Sequence, residues 1–162
     1  KGQMYEGAIR VPFMVQWKGE IPDGQVYDKS VSSFDIFATA TANSAGATAP
    51  KQVEGVDLMP YLSGSNSEKP HDKLFWRAGN IWATREGDWK LIYAADRHWL
   101  YDLSADIGEK TNLADKRPDR VKEMTASFEQ WNRGNVEPLW PSFGTKGMPR
   151  FSVDGVNINW TF

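Results

Sequence analysis

Lys73-Leu-Phe-Trp-Arg-Ala-Gly-Asn-Ile-Trp-Ala-Thr-Arg-Glu-Gly-Asp-Trp-Lys-Leu-Ile-Tyr-Ala-Ala-Asp-Arg-His-Trp-Leu-Tyr-Asp-Leu103 is the stretch on which the fold turns. Short runs rich in aromatic and branched residues, Leu74–Trp76, Ile81–Arg85, Trp89–Ala94 and His98–Leu103, predict strands. Glu86-Gly-Asp88 predicts a hairpin loop and Asp96-Arg97 a further turn, so the runs form an antiparallel meander. In the third run Trp89, Leu91 and Tyr93 alternate with Lys90, Ile92 and Ala94, which makes one face large and aromatic.

Toward the C-terminus, Arg117 to Arg133 carries the clearest helical pattern in the chain. Pro118 suits the first turn, Val121, Met124, Phe128 and Trp131 form an apolar stripe, and Gly134 closes the element. A helix lying on a small antiparallel sheet has its own core. After Asn135 the chain is rich in proline and glycine, and the alternation from Phe151 to Phe162 predicts a hairpin around Asp154-Gly155, docked on the body.

Toward the N-terminus, residues 47–72 read as a connection, with one helical turn over Asp57–Leu62 and a surface loop over Gly64–Asp72. Before it, Ser32 or Ser33 caps a helix that places Phe34, Phe37, Ala38, Thr41 and Ala45 at helical spacing and ends at Gly46. Asp35 falls in its first turn, where the helix dipole favours a carboxylate. Ile9, Val11, Phe13, Met14, Val15 and Trp17 predict a buried or half-buried strand, with Pro12 marking an entry end or an edge. Strand, loop and helix form the unit of parallel sheets covered by helices, and one such unit makes no sheet alone. The expectation is therefore an α+β chain that is a piece of something longer. Residues 1–72 are read as the end of a larger α/β domain and 73–162 as a subdomain with its own sheet and helix. Residues 1–46 are then expected to expose apolar surface and to promote self-association.

Composition narrows the partners. The chain has 162 residues, with 19 basic against 21 acidic side chains and a net charge of −2. That balance gives no electrostatic footprint for nucleic acid. No apolar run approaches the ~18 residues that a membrane-spanning helix needs. There are no cysteines, so disulfides and thiolate metal sites are excluded. Two histidines, His71 and His98, are too few and too far apart for a metal cluster. Neither a strained Gly-x-Ser-x-Gly turn nor a phosphate-cradling glycine loop is present.

Lys1-Gly-x-x-Tyr-Glu-Gly-x-x-Arg-Val-Pro12 resembles the segment of the sulfatase family, within the alkaline phosphatase superfamily, that carries an active-site lysine. The likeness continues in family order. Ser33-Phe-Asp-Ile-Phe-Ala-Thr39 with Ala45-Gly46 is similar to the family's helix segment, and Glu54-Gly-Val-Asp-Leu-Met-Pro-Tyr-Leu-Ser-Gly64 to the loop after it. Arg85-Glu-Gly-Asp-Trp-Lys-Leu-Ile92 and Leu100-Tyr-Asp-Leu-Ser-Ala-Asp106, with Glu109, Asn112 and Leu113, resemble its C-terminal subdomain. The match runs in register over residues 1–132. Ala8 stands where the family usually has a second glycine, and Ala38 where it usually has proline. The resemblance implies a hydrolase of aryl or carbohydrate sulfate esters, periplasmic or secreted, that in complete form uses calcium and a formylglycine made from Cys or Ser. The nucleophile motif, Cys or Ser followed by x-Pro-x-Arg, is nowhere in this chain, nor are the paired aspartates of the calcium site. A phosphodiesterase or phosphonate hydrolase of the same superfamily is the nearest rival, and a non-catalytic module stacking tryptophans on sugar rings is the rival of another class.

Candidate residues follow. A lysine at a chain end is ordinarily solvated, but the resemblance turns Lys1 into a donor to a sulfate oxygen and to the leaving ester oxygen. Glu6 and Arg10, four apart, are expected to fix the glycine corner by an ion pair. Asp102, Asp106 and Glu109 lack the alternate-position oxygens of a calcium loop and are assigned to structure. His71 is expected to be exposed in its loop, and His98, beside Trp99, to lie in the core or its rim with a possible substrate contact.

Overall fold

Four six-residue strands, β1 (Lys73–Ala78), β2 (Ile81–Glu86), β3 (Trp89–Ala94) and β4 (Arg97–Asp102), form an antiparallel sheet in chain order. This is the expected meander, with ends differing by a residue or two. The computed structural model describes residues 3–44, 53–137 and 151–158. Two-residue loops set the register, which pairs Trp76 with Ala83, Leu91 with both Thr84 and Leu100, and Ile92 with both Ala83 and Trp99. The β3–β4 turn uses Ala95 at φ 47° and Asp96 at φ 58°, left-handed conformations that match the sheet's twist but are uncommon for residues with a Cβ. Asp96 Oδ1 accepts a hydrogen bond from the Tyr93 hydroxyl at 2.9 Å, which holds that turn.

The period of two divides the sheet into two apolar faces. On one face Trp82, Leu91 and Leu100 meet Met124 and Phe128 of a helix, α4, spanning Pro118–Asn132. Val121 and Trp131 flank the seam, as their spacing predicts. Trp82 stacks on Phe128 at 4.1 Å and on Tyr93 at 5.3 Å, and Phe75 stacks on Trp131 at 5.1 Å. These aromatics are therefore core and rim, not a free platform for sugar rings. On the other face Ile81, Ala83, Ile92, Ala94, Trp99 and Tyr101 pack with Met4 and with Val153 and Ile158. The last two belong to a hairpin of β5 (Phe151–Val153) and β6 (Val156–Ile158), turning at Asp154-Gly155 as expected.

The chain clusters into two compact units, residues 1–11 with 73–162, and residues 12–72. The second contains the helix α2 (Phe34–Ala42) and a single helical turn, α3 (Met59–Leu62). The helix ends at Ala42, where the Asn43 N–H bonds the Thr39 carbonyl, short of the expected end at Gly46, a residue outside the described ones. Asp35, fully buried, accepts the Ser32 N–H at 2.7 Å and the Val56 N–H at 3.0 Å, so it ties the helix start to the returning chain. Gly55 passes so close to that helix that a Cβ on it would lie 2.2 Å from the Phe34 carbonyl oxygen.

The strand expected over Ile9–Trp17 is not formed. A short helix occupies Glu6–Ile9, and residues 10–17 are irregular with Phe13, Met14 and Val15 exposed. The apolar run has no hydrogen-bonding neighbour strand among the described residues, and a strand exists only where its backbone groups are paired.

Candidate functional site

Lys90 sits on β3, hydrogen-bonded on both sides by β2 and β4. Alternation turns its side chain, with those of Ile92 and Ala94, away from α4 and into the second apolar face, where it is fully buried. A buried ammonium costs several kcal/mol unless carboxylates surround it. Two do so. Glu6 Oε1 lies 2.9 Å from Lys90 Nζ, and Glu109 Oε1 lies 2.9 Å from it at ion-pair distance without hydrogen-bond alignment. The other oxygen of Glu6 meets Arg85 NH1 at 3.2 Å, and the other oxygen of Glu109 accepts the Glu6 N–H at 2.6 Å. Two acids and two bases thus close a neutral quartet between β2, β3, the loop after β4 and the first turn of the chain.

Each member is delivered by a distinct local device. Glu6 opens the helix Glu6–Ile9 (α1), whose Ala8 and Ile9 N–H groups both bond the Tyr5 carbonyl. Four residues are too few for a helix to persist by itself, so α1 takes its form from what holds it. Met4 enters the core beside it, and the Tyr5 ring lies 6.1 Å from that of Tyr101. Burial pushes both phenols up from their ordinary value, Tyr101 the further. Glu109 takes a left-handed backbone, φ 52°, at the end of a loop built by Asp106, whose Oδ2 accepts the Lys110 and Thr111 N–H groups. Asn112 then caps the edge of β4 by accepting the Leu100 N–H at 2.9 Å.

The structure redistributes the candidate residues. Lys1 lies outside the described residues. Glu6 is buried, but its partners are Lys90 and Arg85; no ion pair joins it to Arg10, whose side chain is exposed. Arg10 instead donates its backbone N–H to the Glu6 carbonyl at 2.8 Å, closing α1. The expected Glu6–Arg10 pair is therefore replaced, because the neighbouring sheet offers two better-placed cations. Asp102 and Asp106 accept local N–H groups, as a structural role requires. Glu109, by contrast, reaches across the fold to residue 6. His71, expected to be exposed, keeps only 12% of its side chain in solvent and places Nε2 2.9 Å from both Asp35 oxygens. Burial alone would raise the Asp35 pKa; the hydrogen bonds from His71, Ser32 and Val56 outweigh it and hold that carboxyl below the usual range.

His98 is on β4 opposite Tyr93, on the face covered by α4, so the sheet separates it from Glu6 and Lys90. Its ring packs edge-on to Trp82 at 6.0 Å, and burial depresses its pKa. It lines a cavity of about 790 Å³ together with Arg97, Asn112, Lys122, Thr125 and Asp154. Glu109 has the structural role its assignment expected, while Lys90 and Arg85, quoted only within the family resemblance, were not read as partners of Glu6. One signal pointed to them: Lys90 is the single charge in the otherwise apolar run Trp89–Ala94.

Neither group implied by the sulfatase resemblance fits here. Among the described residues no group of three or more His, Cys, Asp or Glu side chains could hold a metal ion, and no Cys/Ser-x-Pro-x-Arg occurs in the chain.

Residues 1–133 match the family model for N-sulphoglucosamine sulphohydrolase, C-terminal. The chain is 27% identical to the uncharacterized sulfatase YdeN of Escherichia coli strain K12, over 86% of this chain and 32% of that protein. The crystal structure of Ps i-CgsB superposes with a TM-score of 0.65 at 25% identity, covering 76% of this chain and 29% of that one. Phosphonate monoester hydrolase of Agrobacterium radiobacter shares the fold, with a TM-score of 0.54 at 20% identity over 68% of this chain and 26% of that one. The chain thus spans about a third or less of the length of the proteins it matches. With four-fifths of its residues in register with one family, from the Lys1 segment through α4, this chain belongs to the sulfatases, as their C-terminal region.

Proposed function

We propose that the protein containing this chain hydrolyses sulfate esters, and that Lys1 is the residue of this region that touches the reacting group. The family match over residues 1–133 carries the reading, because it includes the lysine segment itself. In a sulfate ester, negative charge grows on the bridging oxygen as the S–O bond breaks. An ammonium donor aimed at that oxygen and at a sulfuryl oxygen stabilises the transition state more than the ground state. Calcium and a formylglycine are expected in the complete enzyme, supplied by residues outside this chain. In this reading residues 1–72 are the closing portion of the larger α/β domain, and residues 73–162 are its C-terminal subdomain. Glu6 anchors α1 to the sheet, Arg10 ends that helix, and His98, on the other side of the sheet, belongs to packing and to the cavity wall.

The test is turnover of 4-nitrophenyl sulfate, 4-nitrophenyl phosphate and a phenylphosphonate monoester by the complete enzyme. Sulfate should be hydrolysed with the highest kcat/KM, and Lys1→Ala should lower kcat by about a hundredfold, the usual cost of one transition-state donor. A preference for either phosphorus ester, or full activity in Lys1→Ala, would overturn the assignment.

A further inference from the structure

We propose that Lys90 and Glu109 are positioning residues for catalysis: their buried charges lock the first turn of the chain and thereby aim Lys1 at the sulfuryl group. The proposal rests on the reading that Lys1 makes that contact.

Glu6 is held at two different points by two different elements. Its carboxylate bonds Lys90 Nζ at 2.9 Å, from the central strand β3. Its backbone N–H donates to Glu109 Oε2 at 2.6 Å, from the loop after β4. A side-chain bond alone leaves the backbone free to pivot, and a main-chain bond alone leaves the side chain free to turn. Together they fix both position and direction. Lys90 also lies 2.9 Å from Glu109, so the two clamps brace each other. Met4 seals one side of the segment in the apolar face, and Lys90 itself is shut off from solvent.

That arrangement is more than folding requires. Apolar residues at positions 6, 90 and 109 together would continue the face made by Ile92 and Ala94, and a buried ion cluster replaced as a whole by apolar residues often loses no stability, whereas removing Lys90 alone leaves two buried carboxylates short of a cation. What an apolar side chain cannot supply is a directional grip on α1, which is too short to hold its own shape. Lys1 is five residues before Glu6 in the sequence, and we infer from that closeness alone that the setting of the turn governs where its ammonium group comes.

The experiment is a double-mutant cycle in the complete enzyme, with kcat expressed per folded molecule and folding checked by near-ultraviolet circular dichroism. Lys90→Met should lower kcat for 4-nitrophenyl sulfate by about tenfold or more, with KM changed far less, since a displacement near 1 Å can cost up to about a hundredfold. In the Lys1→Ala background the same substitution should add less than about twofold, because the group it positions is gone. Glu109→Gln keeps an acceptor for the Glu6 N–H and removes one charge; it should give a smaller loss that also vanishes with Lys1→Ala. It serves as the test should Lys90→Met fail to fold. Equal losses with and without Lys1, or an unchanged kcat in both variants, would overturn the positioning role while leaving Lys1 in place. A silent Lys1→Ala would instead remove the underlying reading, and the positioning role with it.

Discussion

At the scale of single residues, the consequential side chains are those whose surroundings contradict their type. His98 is held among Trp82, Tyr93 and Thr125, and burial lowers its pKa from the usual 6.5. The unfolded chain then binds a proton on this residue at a higher pH than the folded one does. Stability should fall as pH drops from about 6.5 toward the depressed folded value, and His98→Leu should flatten that part of a urea-denaturation profile. Asp35 has the opposite linkage: its pKa is lowered, so its contribution is present above the ordinary carboxyl value of 3.8 and is lost as pH falls through the folded one. Asp35→Asn should remove that acid-side dependence. Gly55→Ala should destabilise by about 1–3 kcal/mol in the same measurement, because the added carbon meets a backbone oxygen and not a yielding side chain. Burial of this kind was hard to read in advance. Nothing in the local pattern around His71 tells that Asp35, 36 residues earlier, waits for it, or that Glu109 will bond the N–H of residue 6.

At the scale of elements, α4 and the four-stranded meander were legible because their periods are set locally. The stripe of Val121, Met124, Phe128 and Trp131 needs no distant information to be recognised. Phe128 stacks on Trp82 across that seam, and Phe128→Ala should cost about 3–5 kcal/mol, read as a shift of the denaturation midpoint at constant slope. The tail hairpin was equally plain, since Asp154-Gly155 turns between alternating residues. The failure over Ile9–Trp17 has a physical reason: strand propensity describes a side chain suited to a sheet and cannot supply the neighbouring strand. The Glu6–Ile9 turn escaped for the converse reason. It is a local shape imposed by distant charges.

At the scale of the whole molecule, the resemblance over residues 1–132 is matched by a family alignment ending at residue 133, so membership was readable in the motifs. Fold class followed from the same residues. This chain spans about a third of the length of YdeN, one of the sulfatases it is similar to. Phe13, Met14, Val15, Phe34, Ile36 and Phe37 are all exposed. The isolated 162-residue chain is expected to self-associate at high concentration, with mass rising by static light scattering; a monomer throughout would contradict this. Salt separates the polar contacts of the molecule into two kinds. Lys69 and Asp72 form an ion pair in open solvent, and dissolved ions weaken such pairs. No dissolved ion reaches the enclosed ammonium of Lys90. Its hold on the opening turn should therefore be as firm in brine as in dilute buffer.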